Sequence, residues 1–154
     1  MPASLQTAAA PTESTTPNAR NRLAGIGIPA AAALAASLAD AVIAVVARAA
    51  GASSDFGPLQ PPAFISLTVV GILAGAGGWA LIRRRARRPR ALLTRLVPVV
   101  LGLSFIPDLA MLVSAYKPHS NAAGVFGLLA MHIAVATIAV SAYQRAMPVA
   151  DPSS

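Results

Sequence analysis

The chain has 154 residues, of which 56% are hydrophobic and only 11% charged, with a mean hydropathy of +0.66. A water-facing domain carries charge on about a quarter of its residues, so this composition excludes a molecule wetted on all sides. No cysteine is present, which excludes a disulfide frame and a thiolate metal site, and the net charge is +7.

Residues 1–20 are small, polar and proline-bearing, without helical periodicity, and read as a disordered tail. The first apolar run, about 23–47, holds one formal charge, Asp40. Small residues at 47–53 offer a cleavage-like pattern. The run before them is far longer than the about 7–15 residues of a signal core, so a membrane anchor is the better reading. The second run, about 63–82, carries no charge, and prolines 58, 61 and 62 mark its start. The third, about 94–116, has Asp108 as its one charge beyond Arg95, directly behind Pro107. The fourth, about 122–144, has no formal charge and one titratable residue, His132. Each run suffices to cross a hydrocarbon layer about 30 Å thick at about 1.5 Å per residue. The expected fold is all-α, a four-helix transmembrane bundle over 21–146 with a C-terminal tail at 147–154.

Arginine sets the expected orientation. Arg83, Arg84, Arg85, Arg87, Arg88, Arg90 and Arg95 crowd the connection between spans two and three. Arg20 and Arg22 precede span one and Arg145 follows span four, while the other two connections are poor in positive charge. Positive segments stay cytoplasmic, which places both termini and the arginine loop in the cytosol of a plasma-membrane protein. The same cluster suits anionic lipid headgroups as partners. Nucleic acid is not an expected partner, since no aromatic residues or recognisable module accompany the charge. His119, in the last short loop, reads as solvated.

Helices in lipid gain nothing hydrophobic by associating, so they need close backbone approach and polar contacts. Span one offers a stripe of Ala33, Ser37, Asp40 and Ala44, with Leu34, Leu38 and Val45 left for lipid. Span two offers Thr68, Gly71, Gly75 and Gly78, in which Gly71 and Gly75 have small-xxx-small spacing. Span three offers Leu101, Ser104, Asp108, Met111 and Ala115; span four offers Val125, Leu128, His132, Ala139 and Tyr143. The glycine spacing also suits self-association into a homo-oligomer.

Depth brings the ionisable groups together. Asp40 and Asp108 fall at similar heights in the outer half, and His132 lies about 15 Å below the outer surface. An aspartate near the centre of a span costs about 2.5–3.5 kcal/mol, against about 0.3–0.6 gained per Leu, Ile or Val. Span one, with nine such residues among alanines, therefore inserts only marginally unless Asp40 finds a mate inside the bundle. Asp40, Asp108, His132 and Ser104 form the expected intramembrane polar cluster, with Ser66 and Thr68 as further candidates. Pro107 withholds an N–H from the carbonyl of Leu103 and is the expected kink. The cluster reads first as a polar knot holding the helices, and alternatively as a proton- or ion-coupled path. No metal and no cofactor are expected, since the ligand set has mixed softness and no spacing signature. A phosphate-cradling loop and a nucleophile elbow are both missing, so a non-enzymatic protein is expected.

The segments "GGWALIRRRARRPR", "LSFIPDL" and "LLAMHIAVATIAV", behind a first span with a late polar residue, complete a pattern. It resembles a family of small four-span membrane proteins, common in actinobacteria and known as a domain of unknown function. The likeness runs from about Arg20 to Arg145. It implies the four-span fold and lends no reaction.

Overall fold

The computed structural model describes residues 19–114 and 118–149, with side chains from residue 27 on. Four helices account for nearly all of it: α1 (Ala19–Ala49), α2 (Pro61–Arg85), α3 (Pro89–Val113) and α4 (Ala122–Ala146). A single 3₁₀ turn, Gly57–Leu59, leads into α2. Each helix is long and apolar enough to cross a membrane. Prolines at the first helical positions start α2 and α3, where a missing N–H costs nothing. Asn121 caps α4: its side chain accepts from the Gly124 N–H at 2.9 Å and donates to the Gly51 carbonyl at 2.7 Å. That bond ties the start of α4 to the end of α1. At the opposite end Trp79 Nε1 donates to the Met147 carbonyl at 3.1 Å, joining the ends of α2 and α4. The chain thus runs up, down, up, down, and the arginine loop shares one end of the bundle with Arg145.

The helix bounds extend the expected spans by a few residues at most ends. α3 closes at Val113 with its cap at Ser114, short of the expected 116. Ala115 and Tyr116 lie outside the described residues, as do most of the expected N-terminal tail, residues 150–154 and the side chains of Arg20 and Arg22. The start of the expected C-terminal tail is packed rather than free, because Met147 and Val149 rest against a core cluster.

Leu34, Leu38 and Val45 of α1 face outward, as do Leu67, Val70 and Leu73 of α2 and Leu103 and Ile106 of α3. Inside stand Asp40, Thr68 and Asp108. Apolar outside and polar within is the arrangement of a multi-pass membrane protein. The expected inner stripes of α3 and α4 turn inward over their described lengths.

On α2 the expected glycine seam is corrected. Its buried line is Phe64, Thr68, Ile72 and Trp79. Gly71 and Gly78 meet nothing within 4 Å, and only Gly75 is close to another helix, through Tyr143. The large side chains on the adjoining face win the interface, since in lipid it is van der Waals packing that holds helices and they make more such contacts than bare backbone does. Close backbone approach occurs on α4 instead. A Cβ on Gly127 would lie 2.8 Å from the Ala47 Cβ, which is how α1 and α4 form the most extensive helix contact.

Two apolar clusters fill the bundle. One, at the end bearing the 50–60 loop, gathers Ala44, Ala47, Phe56, Leu59, Phe64, Leu128 and Met131. The other, at the arginine end, gathers Ala36, Ile72, Trp79, Leu93, Ala139 and Tyr143. Arg48 secures the loop by donating from Nη2 to the Leu59 carbonyl at 2.7 Å, so this cation serves the fold. In chain register the polar residues fall between the two clusters: Asp40 between Ala36 and Ala44, Thr68 between Phe64 and Ile72, His132 between Leu128 and Ala139.

Candidate functional site

The polar layer lies about 8–15 Å below the loop-bearing ends of its helices, counted at about 1.5 Å per residue. Asp40 arrives on the alanine face of α1, whose small neighbours let α2 and α4 close over it until it is 1% exposed. Thr68, one turn from both Phe64 and Ile72, donates its hydroxyl to Asp40 Oδ2 at 2.6 Å. Oδ1 of the same carboxylate is buried without a hydrogen-bond partner among the described residues.

The second pair joins α3 and α4. His132 Nδ1 stands 3.2 Å from Asp108 Oδ2 and 2.9 Å from the Leu128 carbonyl of its own helix. A carbonyl cannot donate, so Nδ1 carries a proton, and that proton is directed along the helix to Leu128. The contact with Asp108 is then electrostatic, which leaves Oδ2 without a hydrogen bond. Phe105, one turn before Asp108, meets the imidazole edge-on with ring centroids 6.2 Å apart. Phe105 and Asp108 together clasp the ring. Sequence reading did not single out Phe105, although its spacing of three from Asp108 on one helix was the available signal.

The direct contacts within the expected cluster are two, Asp40 with Thr68 and Asp108 with His132. Among the described residues, no three His, Asp or Glu side chains converge closely enough to hold a metal ion. Thr68 joins the cluster. Ser66 is exposed and bonds back to the Ala63 carbonyl of its own helix. Ser104 also turns to its own helix, donating to the Leu101 carbonyl at 2.6 Å, so it does not serve the Leu103 carbonyl freed by Pro107. α3 continues through Pro107, and through Pro98 one further segment back.

A cavity of about 1110 Å³ unites the two pairs. Asp40, Thr68, Ser104, Asp108 and His132 line its middle, Asp55 and His119 its loop end, and Trp79 and Leu93 its arginine end. The unpacked glycines Gly71 and Gly78 are part of its wall. α3 leans on α4 and only thinly on α2. The cavity lining includes exposed residues of both helices, Leu67 of α2 at 69% and Val100 of α3 at 54%. At the arginine end Tyr143 donates its hydroxyl to the Ile72 carbonyl and stacks obliquely on Trp79, closing the floor. All seven arginines of the loop are exposed.

Residues 18–148 match the model of a family of unknown function, DUF6069. The chain belongs to this family. The matched segment contains all four helices and both polar pairs. No curated protein and no solved structure matches the chain.

Proposed function

We propose that this DUF6069 member is a non-enzymatic protein of the cell membrane that carries protons or another cation through Asp40, Asp108 and His132. One observation carries the reading: two buried carboxylate oxygens, Asp40 Oδ1 and Asp108 Oδ2, have no hydrogen-bond partner among the described residues and belong to side chains that border one cavity with an imidazole. Carboxylates serving only to hold helices would have both oxygens satisfied, because an unpaired buried acceptor costs about 1–3 kcal/mol. Ionisable groups kept inside a membrane at that cost are where transported charge is exchanged. Both termini and the arginine loop face the cytosol, where the exposed guanidinium groups meet anionic headgroups.

A structural role is the second reading, and the Thr68–Asp40 bond at 2.6 Å favours it, since it ties α1 to α2. Purified protein in vesicles under an imposed pH gradient separates the two. Carriage predicts proton flux that Asp40→Asn and Asp108→Asn abolish while the bundle stays folded. Loss of folded protein in both variants, with no flux in the parent, leaves the structural role standing.

A further inference from the structure

We propose that the cavity binds a lipophilic organic monocation, its charge spread over an apolar frame, taken up from the bilayer through the seam between α2 and α3. The inference rests on the cation-carrying reading and names its substrate class.

Size is the first reason. Drug-sized ligands fill pockets of about 300–1,000 Å³, and this cavity, at about 1110 Å³, exceeds what protons or a bare metal ion need. Charge is the second. Asp40 and Asp108 outnumber the single imidazole, so the layer offers more acidic than basic groups to a ligand. An anionic lipid is repelled, and a neutral one leaves both carboxylate oxygens unmatched. Inorganic cations fare no better. They demand several oxygen ligands at once, and among the described residues no three acidic or imidazole groups converge on one point. An organic cation is weakly hydrated, exchanges lipid for apolar walls at little cost, and needs only one carboxylate nearby.

Shape is the third. Gly71 and Gly78 present bare backbone to the cavity with nothing within 4 Å of where a Cβ would stand. On the opposite side Leu128 and Val135 line the wall, so a bulky group passes along a smooth face of α2. The exposed position of Leu67 and Val100 at the seam puts this face in contact with lipid, so a hydrophobic ligand enters sideways without crossing water.

Binding of tetraphenylphosphonium to the full chain in nanodiscs tests the proposal, with the shape-matched anion tetraphenylborate as control. Saturable binding of the cation alone is expected. Asp108→Asn weakens it roughly tenfold or more, as losing one partner of a buried charge pair does. Gly71→Leu, which fills the cavity from a position free of neighbours, abolishes it, while Ser66→Ala leaves it unchanged.

Binding that ignores Asp108→Asn, or equal binding of the anion, overturns the proposal in favour of a neutral apolar groove. Absence of binding beside carboxylate-dependent proton flux overturns the substrate class and leaves cation carriage in place. Absence of both removes the two together. Circular dichroism and gel filtration of each variant keep misfolding from passing as lost binding.

Discussion

Thr68 reaches from α2 to α1 and donates its hydroxyl to Asp40 Oδ2 at 2.6 Å, while Oδ1 of the same carboxylate is buried without a hydrogen-bond partner among the described residues. The carboxylate therefore depends on this bond. Thr68→Val removes the donor at constant shape and is expected to destabilise the protein by about 1–3 kcal/mol. Thr68→Ser keeps the hydroxyl and is expected to retain most of the stability. Removing both polar groups, in Asp40→Leu with Thr68→Val, is expected to be milder than Thr68→Val alone, since no acceptor is left stranded. Unfolding in mixed micelles with rising denaturing detergent measures all three. Unchanged stability of Thr68→Val would remove the bond from the account.

Glycines on two helices are expected to respond in opposite directions. At Gly127 a new Cβ lies 2.8 Å from the Ala47 Cβ, and neither backbone can yield without parting α1 from α4. Gly127→Ala is expected to cost about 1–3 kcal/mol, the usual effect of overpacking. Gly71→Ala meets open space and removes a flexible residue from a helix interior, so it is expected to gain up to about 1 kcal/mol. The same unfolding titration ranks them. A destabilising Gly71→Ala would show that the glycine face of α2 packs against a second copy in the membrane.

The contrast shows what the chain disclosed in one dimension. Run length and hydropathy reveal four helices because each must span the same thickness of lipid. Asp40, Asp108 and His132 stand out because an ionisable residue among apolar neighbours is costly wherever it points. Partner choice was not legible. Gly71 and Gly75 have packing spacing, yet the neighbouring face with Ile72 and Trp79 took the interface. Gly124 and Gly127, which do approach Phe56 and Ala47, carry no spacing that marks them beforehand. Pairing of Thr68 with Asp40, and of Asp108 with His132, depends on helix rotation and on which helix is adjacent. The cavity depends on α3 leaning away from α2, which no local pattern encodes.

Orientation is open to a direct measurement because the chain has no cysteine. Ser54 and Arg87 are both exposed, at opposite ends of the bundle. With the arginine loop in the cytosol, Ser54→Cys reacts with a membrane-impermeant maleimide in intact cells. Arg87→Cys reacts only after permeabilisation. Replacing Arg83, Arg84, Arg85, Arg87 and Arg88 by serine is expected to make both ends reactive in part of the population, the outcome that the positive-inside rule requires when the charge bias is removed. Labelling of Arg87→Cys in intact cells, with Ser54→Cys protected, would reverse the assignment.

His132 distinguishes a ring that positions from a ring that titrates. Its Nδ1 proton goes to Leu128 at 2.9 Å while Asp108 waits at 3.2 Å. Asparagine places an N–H donor near the Nδ1 position but cannot take up or release a proton near neutral pH; leucine offers no donor at all. His132→Leu removes the ring that faces Asp108 and Phe105, and is expected to destabilise the bundle through the lost electrostatic and packing contacts. His132→Asn is expected to fold nearly as well as the parent. If the imidazole passes protons between the cavity and Asp108, His132→Asn in vesicles folds normally and shows no pH-driven flux. If the ring only braces α3 against α4 and clasps Phe105, the asparagine variant keeps its flux, and the carrier role of His132 falls while that of the carboxylates stands.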